Sequence, residues 1–165
     1  MDDRYTINAA KTEIREGYNT GSVDRILAQL SPGYTDLSDG FPSCARDEAR
    51  AVLRARLDVL FAENQVEFAP ITADINLLAT TALVYGWHHM TLIPKSGVSR
   101  IQRRTRFVEI WQRLDAGWKL GLLIDNTDPS PTLASETVAA LLDGALDPLT
   151  GKSRKLEKLS RDTVE

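Results

Sequence analysis

The chain is poor in the residues that carry the most recognisable chemistry. It holds one cysteine, Cys44, so no internal disulfide can form and no oxidising compartment is implied. Its two histidines, His88 and His89, are adjacent. On a strand, neighbours point to opposite faces, so only one of them can reach a given site. Zinc usually takes three or four protein ligands, which leaves no metal expected here. There is no excess of positive charge: the net charge is −3 and the pI about 5.5, which argues against a general nucleic-acid binder. No apolar run reaches the roughly 18 residues needed to cross a bilayer. The beginning, MDDRYTINAAKTEIREG, lacks a basic region followed by an apolar one, so no signal peptide is expected and the reading is cytoplasmic. Phosphate loops, nucleotide fingerprints and the G-x-S-x-G nucleophile turn are missing too, and no cofactor is implied.

What is present is a well-patterned small domain of 165 residues, 42% hydrophobic and 26% charged, enough for one core plus a tail. Ile7, Ala10, Ile14 and Tyr18 recur at helical spacing and predict a helix over about residues 4–18, stopping in Gly17-Tyr18-Asn19-Thr20-Gly21. Ser22 caps a short second helix bearing Val23, Ile26, Leu27 and Leu30, stopped by Ser31-Pro32-Gly33. A short strand is expected at Tyr34–Ser38. The longest helix is expected from about Ala45 to Glu63, with Ala49, Val52, Leu53, Leu57, Leu60 and Phe61 inward.

Beyond residue 64 the period changes to two. A strand over 65–78 should break near Ala69-Pro70, and another covers 83–93. Arg103–Asp125 then reads as two strands around a turn at Asp115-Ala116-Gly117. On the first, Thr105, Phe107, Glu109 and Trp111 share a face. On the second, Trp118, Leu120, Leu122 and Ile124 form one row. Helices first and long antiparallel strands after predict an α+β domain, residues 1–131, with helices on one face of a curved sheet. Residues 132–165 begin with a helical apolar pattern at Leu133, Val138, Leu141, Leu142 and Ala145. From Asp147 they become a charged segment expected to be mobile or docked on a partner subunit.

Tyr18–Asp24, Gly33–Asp36, Arg106–Trp111 and Asp115–Lys119 fall in the order found in nuclear transport factor 2-like proteins. Within that superfamily the chain, over about residues 4–128, is most similar to SnoaL-like and ketosteroid-isomerase-like small domains. The resemblance implies a cone: a bent antiparallel sheet wrapped around a long helix, a cystatin-like roll, with a pocket at the open end and pairing into homodimers through the sheet. The isomerase members use a carboxylate base, a tyrosine and a protonated acid. Aligned on the Asp115 turn, Glu109 falls at the acid position. Aligned on Asn19-x-Gly21, Ser38 falls at the base position, with Asp36 and Asp39 nearby, and Ile14 stands in place of the tyrosine.

The candidate acid–base residues are therefore Asp36, Glu109 and His89, the last because it shares a row with Tyr85 and Trp87. A one-residue slip would exchange it with His88. Glu109 reads either as a pocket acid whose carboxyl is pushed up by burial or as the partner of an arginine such as Arg103 or Arg113. Tyr18, Tyr34, Phe41, Trp87 and Trp111 are candidates to line a small-molecule pocket, or else core or interface aromatics. Three functions stay open: binding a small, largely apolar molecule, acid–base catalysis of an isomerase, cyclase or hydro-lyase kind, and a structural dimerisation module.

Overall fold

The computed structural model describes residues 2–44 and 47–128. Eight elements follow one another: α1 (Asp3–Thr20), α2 (Val23–Leu27), β1 (Leu30–Asp36), α3 (Ala49–Glu63), β2 (Asn64–Leu78), β3 (Thr81–Pro94), β4 (Ile101–Leu114) and β5 (Gly117–Thr127). The α+β expectation holds. The expected helix and tail over residues 132–165 lie outside the described residues.

Asp2 starts α1 by accepting the Arg4 backbone N–H at 3.0 Å. Gly21 ends it in the left-handed region, φ 68°, where a side chain would be strained. Among the described residues α1, at 18 residues, is longer than α3, at 15. Of the two glycines in the expected stop, Gly21 ends the helix and Gly17 does not. That residue lies buried inside the helix where Ile26 of α2 packs so closely that a Cβ would fall 2.5 Å from Ile26 Cγ1.

The strands form one open, curved sheet in the order β1-β5-β4-β3-β2. Its antiparallel meander β2-β3-β4-β5 matches expectation, but β1 runs parallel to β5, so the sheet is mixed. Ser31, Pro32 and Gly33 lie within β1 rather than before it. Proline is tolerated there and at Pro70 because β1 and β2 are the two edge strands. The expected break at Pro70 is instead a bulge between Thr72 and Asp74.

A second bulge decides what faces the interior. Between Ile110 and Trp111 the register with β5 shifts, so that Trp111 pairs with Leu120, Glu109 with Leu123 and Phe107 with Asp125. The inward row of β5 is therefore Trp118, Leu120, Leu123 and Asp125. Past Gly121 the expected alternation is reversed, and a carboxylate, Asp125, is turned inward in place of Ile124.

The helix α1 packs against β2 and β5, and α3 against β1 and β2. Ile7, Ala10, Leu27, Tyr34, Val84, Phe107, Trp111, Trp118 and Leu120 form the main core, with Ile7 and Trp111 wholly inaccessible. Full burial of a large apolar side chain is worth about 1.5–3 kcal/mol, so this cluster is the main driving force for closing the sheet on α1. Val66, Phe68 and Leu92 make a smaller cluster with Tyr18, Leu60 and Phe61.

Candidate functional site

The polar residues of the interior converge on Glu109. Lys11 stands one turn past Ile7 and so points from α1 into the sheet. Its ammonium donates to Glu109 Oε2 at 2.6 Å, with 7% and 5% of the two side chains exposed. Trp111 Nε1 donates to the same oxygen at 2.8 Å. The ammonium also lies 4.4 Å from the centroid of the Phe107 ring, a favourable cation–π position. Burial pushes the Glu109 carboxyl up, but Lys11 and His88 outweigh it and hold the group below its ordinary value. This direction is opposite to the raised pKa of the pocket-acid reading, since Lys11 and His88 favour the ionised carboxylate. Glu109 is ion-paired, as the alternative reading had it, but with Lys11 rather than an arginine. Arg113 pairs instead with Asp3.

The second oxygen of Glu109 faces His88. His88 Nε2 is 3.7 Å from Glu109 Oε1, and its Nδ1 is 3.8 Å from Asp125 Oδ2. Both separations lie just outside direct hydrogen bonding, within reach of a small side-chain movement or a bridging water. Thr105 Oγ1 donates to Asp125 Oδ2 at 3.3 Å. The imidazole stacks on Phe107, centroids 4.2 Å apart at 15°, and meets Phe68 at 5.0 Å. Exposure rises along this line, from 5% at Glu109 through 11% at His88 to 24% at Asp125, so Asp125 marks its accessible end.

His89, the histidine chosen from the sequence, is on the other face. It is exposed and lines an open groove along β2 with Asn19, Glu67 and Thr91. Strand register is the reason: β3 places Ala82, Val84 and Gly86 inward, and His88 continues that row.

The remaining candidates divide in the same way. Tyr34 is 1% exposed, and its hydroxyl donates to Asp36 Oδ2 at 2.8 Å, while Asp36 Oδ1 accepts the Ser38 backbone N–H at 2.9 Å. Burial and then Asp36 push the Tyr34 phenol far up, so it stays a donor. The Tyr18 phenol is raised by burial and then by Asp36 and Asp125. Its ring meets Phe68 at 4.6 Å and Phe61 at 6.0 Å. Tyr18, Tyr34, Asp36, Trp111 and Glu109 therefore belong with His88. Trp87 is not with them, lying on the outer face 5.9 Å from the Arg104 guanidinium. Phe41 sits in the loop before α3, under Arg56. Among the described residues no group of three or more His, Cys, Asp or Glu is arranged to hold a metal ion.

Lys11 and Asp125 are the residues that sequence reasoning missed. The first had a signal: it shares the inward stripe of α1 with Ile7, Ile14 and Tyr18. The second had only Gly121, an isolated glycine in a strand and hence a hint of a bulge.

No protein-family model and no curated protein matches the chain. Solved structures do. A conserved protein from Planctomyces limnophilus superposes with a TM-score of 0.67 at 15% identity, covering 76% of this chain and 98% of its own. An NTF2-like protein with a cystatin-like fold from Novosphingobium aromaticivorans gives 0.64 at 15%, covering 81% and 87%. This chain has the NTF2-like fold. A ketosteroid isomerase-like protein from Erwinia carotovora atroseptica has that fold too, with a TM-score of 0.62 at 15% identity over 76% of this chain and 96% of its own. Identities this low speak for the NTF2-like fold alone, and the chemistry has to be argued from the interior groups.

Proposed function

We propose that this NTF2-like domain binds a small, largely apolar molecule and moves a proton on it, with His88 as the group that takes and returns the proton. One observation carries the reading: an imidazole inside an aromatic enclosure, each of its nitrogens turned to a carboxylate. An imidazole changes charge near neutral pH, and flanking carboxylates stabilise the cation formed when it accepts a proton. Asp125 orients the ring from the accessible side and Glu109 from the buried side. The Tyr34 hydroxyl on Asp36 supplies a further donor, and Tyr18, Phe61 and Phe68 supply apolar walls. These groups suit isomerase, cyclase or hydro-lyase chemistry next to a carbonyl.

The test is solvent-deuterium exchange. Small ring ketones, β,γ-unsaturated ketones and β-hydroxy ketones are incubated with the protein in D2O and followed by NMR. Wild type is expected to speed exchange at the carbon next to the carbonyl, and His88→Gln to lose about 100-fold or more of that rate, the usual share of a general base. Ligands that raise the melting temperature without any exchange would leave a binding domain and no catalyst.

A second copy of the chain is the partner that the outer face of the sheet fits. Leu83, Ile110 and Leu122 lie side by side across β3, β4 and β5, as do Tyr85, Val108 and Ile124. Tyr85 is 41% exposed, and such ordered apolar rows on a sheet suit pairing about a twofold axis. Sedimentation equilibrium across the micromolar range is expected to give a dimer, and Tyr85→Glu a monomer. A monomeric wild type would remove this reading.

A further inference from the structure

We infer that Lys11 is a positioning residue that sets the protonation of His88 through Glu109. The inference rests on the acid–base reading of His88 and adds the part played by α1. Lys11 and Trp111 both donate to Oε2 of Glu109, which saturates that oxygen and fixes the plane of the carboxylate. The other oxygen is left to the imidazole, 3.7 Å from Nε2. The carboxylate is thereby held ionised and aimed.

The charge count around the ring gives Lys11 a second effect. His88 is faced by Glu109 and Phe107 from β4, with Thr105 beside it, and by Asp125 from β5 and Phe68 from β2. The wider set is Lys11 and Tyr18 from α1 and Tyr34 and Asp36 from β1. A neutral imidazole has one N–H to offer two carboxylates, whereas the imidazolium has two, so an uncompensated pair would lock the ring in its charged form. Such a ring cannot act as a base. Lys11 is the buried cation on Glu109, and it offsets one of the two charges while leaving Asp125 to steady the cation once it forms. The ring can then cycle between its forms.

The test reads His88 directly, without any substrate. The chain has two histidines, so the imidazole signals are assigned by comparison with His89→Gln and followed by 15N–1H NMR against pH. Lys11→Met is expected to raise the His88 midpoint by about one unit, tenfold in proton affinity, because a cation is lost and Glu109 is no longer shared. A folded Lys11→Met protein whose midpoint stays within about 0.3 unit of wild type overturns the inference, since a merely structural lysine would leave the ring untouched. Should Lys11→Met not fold, the double variant Lys11→Met/Glu109→Gln removes both charges. Its midpoint is expected to stay within about 0.3 unit of wild type, because the two charges removed offset each other and Asp125 is left in place. A fall of about one unit or more in the double variant also overturns the inference, since Glu109 would then have acted on the ring uncompensated by Lys11. Absence of deuterium exchange in wild type would count against catalysis but would not move these midpoints, so the two ideas fail separately.

Discussion

Lys11→Met is expected to destabilise the domain by about 3–5 kcal/mol at neutral pH, the range for removing one partner of a buried ion pair. The reason is the Glu109 carboxylate left behind, 5% exposed and keeping only the Trp111 N–H on Oε2. The loss should depend on pH with a definite sign. In wild type the Glu109 carboxyl is held below its ordinary value of 4.5, so its contribution is fully present above that value and fades as pH falls further. In the variant, the Glu109–His88 pair holds one proton more tightly in the folded protein than in the unfolded chain. That contribution is present at low pH and is lost as pH rises through the pair's folded value. Both effects act in the same direction, and the gap between variant and wild type narrows as the solution is acidified. Urea denaturation at several pH values checks this. A gap independent of pH would mean that Lys11 serves through its methylenes alone. The double variant Lys11→Met/Glu109→Gln should recover much of the loss, because no bare charge remains inside.

How far the interior was legible follows from what each signal physically encodes. Helical stripes and strand alternation report burial, and they found α1, α3, the β4 row of Phe107, Glu109 and Trp111, and the turn at Asp115. They fail where geometry departs from the ideal period. The bulge at Gly121 reverses the alternation of β5, which hid Asp125, and the run of β3 to Pro94 fixes His88 rather than His89 inward. Lys11 was overlooked for a different reason. A lysine on a helix is usually solvated, and its placement becomes intelligible only when a carboxylate from a strand 98 residues later is brought against it. Asp36 and Tyr34, alternating on one short strand, could be seen as neighbours from spacing alone, and they are joined by a hydrogen bond.

The second large effect is expected at Gly86, where the sheet bends. A Cβ built on Gly86 would stand 2.0 Å from the carbonyl oxygen of Ile71 and 3.0 Å from the nitrogen of Ala73. These are backbone atoms of the paired strand β2 at its bulge between Thr72 and Asp74, so no side-chain rotation can make room. The two strands come this close because β3 carries no side chain at that point, and the bend lets the edge of the sheet curl over the interior. Gly86→Ala must push the strands apart by about 1 Å and should cost about 3 kcal/mol or more, the upper range for overpacking. Gly121→Ala is the control. Its Cβ would meet the Gln112 side chain at 2.8 Å, and a flexible side chain can move aside, so the loss should be about 1 kcal/mol or less. His88 lies two residues beyond Gly86 on the same inward row, so opening the bend also draws the imidazole away from Glu109. Gly86→Ala should therefore shift the His88 NMR titration as well as the urea midpoint, while Gly121→Ala leaves the titration in place. Equal stability of the two variants would mean that β2 can retreat freely, and the bend would then owe nothing to the missing side chain.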